Sequence, residues 1–248
     1  MKLNRILTIT MLLNCSIFLA QNITNTLGIS GTFSIKDGSV NFFTLSQSTG
    51  SSTLNGNLIL PATQFSSSNG NIFRNTERFI HNYQRTGTSG YNTFIGLSSG
   101  NFSLSGSGNQ SSFNTGFGNQ TLSSLTTGSF NSAMGFQSMN KNTSGSKNSA
   151  FGYQSLYNNS TGNNNSAMGY QSMFTNTLGT NNSAFGFKSL YSNTSGSLNS
   201  AFGESSLYSN ITGNGNSAFG YQSLYSNQTG NINSALGTTS LFGNTTGS

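Results

Sequence analysis

Acidic side chains are almost missing from this sequence: Asp37, Glu77 and Glu204 are the only three in 248 residues. Charged residues of both signs make up 5% of the chain, against roughly 25% in an ordinary soluble domain. So little charge excludes a salt-bridge-laced helical protein and a charge-extended disordered tail. Tryptophan is absent, and Pro61, Cys15 and His81 are each the single residue of their kind. One cysteine cannot form an internal disulfide. One histidine with few acids offers no metal cage, which needs three or four N, O or S ligands. It offers no Ser-His-Asp constellation either. Calcium-binding nonapeptide repeats require columns of aspartate, and phosphate loops end in Gly-Lys-Ser/Thr; neither pattern occurs. No cofactor or metal is expected, and His81 reads as a structural or surface residue.

The formal net charge is +6, but a phosphate-binding surface needs clustered cations that release counterions together. Lys2 and Arg5 belong to the N-terminal leader, Arg74, Arg78 and Arg85 are interrupted by Glu77, and Lys141, Lys147 and Lys188 are scattered. A nucleic-acid partner is therefore not expected.

Residues 1–20 read as a secretory signal peptide. Lys2 and Arg5 open it, Ile6 to Leu19 is mostly apolar, and Ala20 precedes Gln21. The run is too short for a comfortable membrane span, and no later segment approaches that length. The expected location is secreted or cell-surface. Cys15 lacks the small preceding residue that a lipid-bearing cysteine prefers, so it reads as part of a discarded leader.

Residues 21–91 read as a small β-rich region. Thr32–Ile35 and Val40–Phe42 alternate in polarity around Asp37-Gly38, a strong hairpin signal. Ser46 to Ser52 and Ser66 to Gly70 read as loops. Leu58–Leu60, Ile72-Phe73 and Arg78–His81 read as short strands.

From residue 92 a repeat governs the chain. Asn-Ser-Ala-Xaa-Gly begins at Asn131, Asn148, Asn165, Asn182, Asn199, Asn216 and Asn233, each 17 residues after the last. Asn114 heads an earlier copy. Asn92 heads another after a 22-residue step, so an insertion is expected to bulge around Ser105 to Gly108. In the same register run Phe117, Met134, Phe151, Met168, Phe185, Phe202, Phe219 and Leu236, and then Leu122, Met139, Leu156, Met173, Leu190, Leu207, Leu224 and Leu241. A glycine column runs from Gly128 to Gly247, and an aromatic column holds Tyr157, Phe174, Tyr191, Tyr208, Tyr225 and Phe242.

Seventeen residues cannot bury a core alone, so the units must stack. The segments are strand-length and alternate without a 3.6-residue period. An all-β fold follows: a parallel β-solenoid (β-roll or β-helix) of 17-residue coils over residues 92–248, preceded by the small β-rich region. Like residues then lie about 4.8 Å apart along the axis, and eight coils make a rod roughly 40 Å long. The Asn column is expected to form a structural amide ladder. The glycines are expected at turns of positive φ. Tyr157, Tyr191, Tyr208 and Tyr225 are candidate protomer contacts, because contiguous exposed apolar stripes usually mark interfaces.

The unit Asn-Ser-Ala-Phe-Gly-Tyr-Gln-Ser-Leu-Tyr-Ser-Asn-Xaa-Thr-Gly resembles the repeats of bacterial surface and tail-fibre-like proteins. More distantly it is similar to the head of YadA-like trimeric autotransporter adhesins, from whose shorter period it departs. The resemblance implies a trimeric parallel β-roll, a homo-trimeric partner arrangement, and a host-surface or glycan receptor. Tail-fibre-like relatives often end in a chaperone domain. Thr246-Gly247-Ser248 stops inside a repeat, so the expectation is a fragment.

The expected function is an exported, non-enzymatic structural or adhesive fibre segment. Glu204, the one acid in the repeats, stands where most copies carry Tyr or Phe and reads as variation at an exposed site. The alternative is an ice-binding or glycan-binding solenoid. Ice binding would use a flat threonine ladder; Thr161, Thr212 and Thr229 begin one, but Ser144, Leu178 and Ser195 interrupt it. The many Asn-Xaa-Ser/Thr sequences read as products of composition.

Overall fold

Two turn-forming pairings anchor the N-terminal part of the chain, and stacking of identical coils builds the remainder. The computed structural model describes residues 32–37, 40–46, 51–54, 72–74, 77–81, 86–101 and 104–247. The leader with Cys15, the expected strand Leu58–Leu60 and the expected loop Ser66 to Gly70 lie outside the described residues. The chain separates into two compact units, Met1–Ile59 and Leu60–Ser248.

In the first unit, β1 (Thr32–Asp37) pairs antiparallel with β2 (Val40–Ser46) and closes with Asp37 opposite Val40, so Asp37 is the last paired residue of β1 rather than the first residue of the turn. A bulge between Ile35 and Lys36 shifts the register. A third strand, β3 (Ser51–Leu54), pairs antiparallel with β2. Ser51 and Ser52 belong to it rather than to the expected loop. Backbone groups on the open edge of β2 need partners, and Ser and Thr supply them as well as apolar residues do.

In the second unit, β4 (Ile72–Arg74) and β5 (Glu77–His81) form an antiparallel hairpin. β5 pairs antiparallel with β6 (Thr93–Ile95), placing His81 opposite Phe94. From β6 the direction becomes parallel. Its successors are β7 (Thr115–Phe117), β8 (Ser132–Met134), β9 (Ser149–Phe151) and β10 (Ser166–Met168). The series ends with β11 (Ser183–Phe185), β12 (Ser200–Phe202), β13 (Ser217–Phe219) and β14 (Ser234–Leu236). These strands and the hairpin form one 11-stranded sheet in sequence order. Each strand pairs in register with the next, and from β8 onward the pairs are Ser on Ser and Ala on Ala. The chain is thus all-β, a parallel β-solenoid with one short strand per 17-residue coil. The hairpin covers the β6 edge, which would otherwise offer unpaired backbone groups.

The wall of each coil is narrow. In the coil starting at Asn148, the buried residues are Asn148, Ala150, Ser155, Leu156, Asn159 and Gly162. From the coil of Asn131 to that of Asn216, one leucine or methionine per coil is thus the only large apolar side chain that is fully buried. The other inward positions are small or polar, and the polar ones are satisfied by the neighbouring coil. Ser155 Oγ, for example, donates to the Ala167 carbonyl at 3.0 Å.

The first coils solve the same packing differently. Phe94 stands where later coils have alanine and is fully buried. Gly100 takes the leucine position, and a Cβ there would lie 2.7 Å from the Phe94 ring. Gly116 takes the next alanine position, and its Cβ would come within 2.9 Å of the same ring. The extra residues of this coil reach back, with Gly108 bridging to Thr88 and Ser107 to Gln110 exposed.

Candidate functional site

Two asparagine ladders form the polar spine. In the first, the Asn148 backbone N–H and Nδ2 both donate to Asn131 Oδ1, at 3.0 and 3.2 Å. The second Nδ2 hydrogen reaches the Gly162 carbonyl at 2.9 Å. Asn148 Oδ1 in turn accepts the Asn165 N–H at 2.9 Å, so both hydrogens and the oxygen of the amide are engaged. Asn131, Asn182, Asn199, Asn216 and Asn233 repeat the pattern, and Asn165 donates its N–H to Asn148 Oδ1 and its Nδ2 to the Gly179 carbonyl. The column predicted as an amide ladder occupies that position inside the solenoid, out of reach of a ligand.

The second ladder runs through Asn142, Asn159, Asn176, Asn193, Asn210 and Asn227, with Nδ2 to Oδ1 distances of 2.7–2.9 Å. Its register was visible in the Asn-Xaa-Xaa-Gly spacing, but asparagine is so frequent here that no single column stands out by residue type. The two ladders meet on the glycine column: Asn148 and Asn159 both donate to the Gly162 carbonyl. Asn142, Asn159, Asn193, Asn210 and Asn227 head Asn-Xaa-Ser/Thr sequences and are fully buried. Their amides hold the coils together, so in the folded protein they are closed to a glycosylating enzyme.

The glycines do not all work as expected. Gly145, Gly162, Gly179 and Gly196 are not in the left-handed region; a Cβ at Gly162 would lie 2.4 Å from both Asn159 Oδ1 and the Gly179 carbonyl oxygen. Close approach, not φ, requires glycine there. Positive φ falls instead on Gly152 and its equivalents, and on non-glycine residues such as Gln154 (50°) and Leu156 (53°). Inter-coil hydrogen bonds hold these strained residues: Gln154 N–H to the Phe136 carbonyl and Leu156 N–H to the Ser172 carbonyl, both 2.9 Å.

The outer wall carries the chemistry available to a partner. Three apolar stripes run along it. The first is Phe117, Met134, Phe151, Met168, Phe185, Phe202, Phe219 and Leu236, flanked by the inward alanines. The second holds Phe136, Tyr153, Tyr170, Phe187 and Tyr221, 41–46% exposed, with Glu204 in its line. The glycine column of Gly152 separates these two and puts no side chain between them. The third is the candidate contact column, Tyr157, Phe174, Tyr191, Tyr208, Tyr225 and Phe242. Its rings stack continuously at 5.0–5.3 Å and 4–7°. Tyr157, Tyr191, Tyr208 and Tyr225 are only half-exposed within the single chain, so the more open apolar surface belongs to the other two stripes. The second stripe was legible as a 17-residue column, but its neighbourhood with the first depends on the bend at the glycine.

Between the second and third stripes lies a glutamine row, in which Gln137, Gln154 and Gln171 each donate to the preceding Gln Oε1 at 2.6–2.9 Å. Lys188 continues this row, its Nζ 5.4 Å from the Phe187 ring centre and 5.5 Å from that of Tyr191. Lys141 lies over Tyr157 at 5.2 Å.

This geometry bears on ligand classes. Stacked rings turn their faces toward one another and present mainly edges outward, whereas a sugar packs on an open aromatic face. In the threonine-rich row, Thr143 and Thr177 hydroxyls donate to the Ser160 and Thr194 carbonyls at 3.0 Å. In the adjacent row Leu178 is 58% exposed among Thr161 and Thr212. Neither row is a flat lattice of free hydroxyls. Among the described residues no three His, Cys, Asp or Glu side chains gather as a metal site, and no helix is long and apolar enough to cross a membrane.

Comparison with protein-family models, with curated proteins and with solved structures returns no match to this chain.

Proposed function

We propose that this chain is an exported, non-catalytic structural segment: a stiff spacer of a cell-surface or fibre-like assembly, held in place through its outer apolar stripes. The observation that carries this reading is the division of labour across the coil wall. Polar ladders are consumed inside, and aromatic and aliphatic stripes extend along the outside over many coils. A solenoid gains length by adding coils, each contacting only its neighbours, and the aromatic outer wall supplies lateral adhesion. Residues 1–20 support export, and the Ser-Ala-Xaa-Gly units support kinship with surface and tail-fibre repeats.

The test is to express the full chain in a bacterial host and locate the product. Export with loss of residues 1–20, and a protease-resistant rod in negative-stain images, is the expected result. A product retained inside the cell with its leader intact would overturn the exported part of the reading.

A further inference from the structure

We propose that the first and second outer stripes form the face on which a second copy of this chain packs, antiparallel, about a two-fold axis crossing the rod between the coils of Asn182 and Asn199. This deepens the structural reading by naming the partner and its orientation.

Area is the first argument. In the six coils from Asn148 onward, Met168, Phe219, Tyr153, Tyr170, Phe187 and Tyr221 are 39–47% exposed. At about 200 Å² per large side chain, they leave roughly 500 Å² of surface open. That is in the upper part of the ~300–600 Å² range of the largest patch on a typical monomer. With Phe151, Phe185, Phe202, Leu236 and the neighbouring polar columns added, it approaches the ~800 Å² each partner contributes to a standard interface.

Spacing is the second. The stripes repeat once per coil, so a partner that fills every gap along them must share the same axial step. A copy of this solenoid meets that condition on every rung.

Charge sets the orientation. Lys188 and Glu204 are the only charged side chains in the second stripe and the glutamine row, and they lie in adjacent coils and adjacent columns. Two parallel copies related by an axis along the rod would bring Lys188 level with Lys188 and Glu204 level with Glu204. The antiparallel two-fold instead brings Lys188 of each copy against Glu204 of the other, beside Phe187. It also lays the first stripe on the first stripe: Phe185 meets Phe202, and Met168 meets Phe219. Such an isologous contact closes on itself, and two ion pairs against an aromatic floor fix its register more than its affinity.

The experiment uses the full chain. Sedimentation equilibrium gives the mass and dissociation constant of the wild type, of Lys188→Glu, of Glu204→Lys and of the double swap, with circular dichroism on each. The expected mass is twice that of the chain. Each single reversal weakens the dimer about tenfold or more, and the double swap restores it to within about threefold. Zero-length carbodiimide coupling of a mixture of isotopically light and heavy wild-type chains provides a reading that needs no variant: a mixed-isotope Lys188–Glu204 peptide is expected. A monomer at tens of micromolar, a trimer, a double swap no tighter than the single ones, or a coupled peptide only within one chain would each overturn the proposal. Because these readings concern mass and proximity, they fail or hold independently of where the protein is exported.

Discussion

The first coil and the coils that follow Asn131 fill the same narrow lumen with different residues. Later coils place an alanine on the strand and a leucine or methionine at the far turn. The first coil places Phe94 on the strand and glycine at the far turn, and the second coil answers with Gly116. Volume is conserved across three positions in two coils although no single position matches the repeat. Core packing therefore constrains the sum of neighbouring side chains, while the ladders and the glycine approaches constrain each position singly.

The largest expected effect separates these two kinds of constraint. Gly162→Ala in a central coil drives a Cβ to 2.4 Å from the carbonyl oxygen of the next coil. Backbone on both sides cannot yield, so a loss of about 3 kcal/mol or more is expected, measured by urea unfolding. If Gly162→Ala costs less than about 1 kcal/mol, the coils are less tightly stacked than described.

Of similar size is Phe94→Ala, which removes the fully buried ring of the first coil and should cost about 3–5 kcal/mol. Restoring the repeat pattern with Phe94→Ala, Gly100→Leu and Gly116→Ala together should recover most of that loss. The same unfolding midpoint in the single and triple variants would refute the volume exchange.

Asn193→Leu should cost about 2–3 kcal/mol, because it strands Asn176 Oδ1 and Asn210 Nδ2 without their ladder partner. The same change at Asn142 should cost less. Its neighbour along the column is already Leu125, fully buried where later coils have asparagine. Equal losses at the two sites would show that the ladder has no end effect.

The smallest effect belongs to the outer wall. Lys141→Ala removes an exposed contact over Tyr157 and should cost about 0.5 kcal/mol, a shift barely resolved in thermal melts.

Much of this fold was legible because repetition amplifies weak local signals. Ser-Ala-Xaa recurring every 17 residues identified the strands, and the leading asparagines identified the first ladder. Asp37-Gly38 identified the β1–β2 hairpin. The second ladder was obscured by the number of other asparagines, and β3 by its serine content. The non-glycine residues of positive φ, such as Gln154 and Leu156, carried no signal at all. Their conformation is held by bonds to residues a full coil away, which no local preference encodes.

The sequence by itself determined the period, the stacking and the identity of each column, because a 17-residue unit that cannot bury a core must repeat against itself. Tertiary structure alone decided which columns face inward. Phe151 and Ala150 are equally apolar in pattern, but each of these coils already fills its lumen with one leucine or methionine, such as Leu156, and leaves room at the strand only for a methyl group. Alanine therefore lines the inside and phenylalanine the outside, where it becomes part of the first apolar stripe.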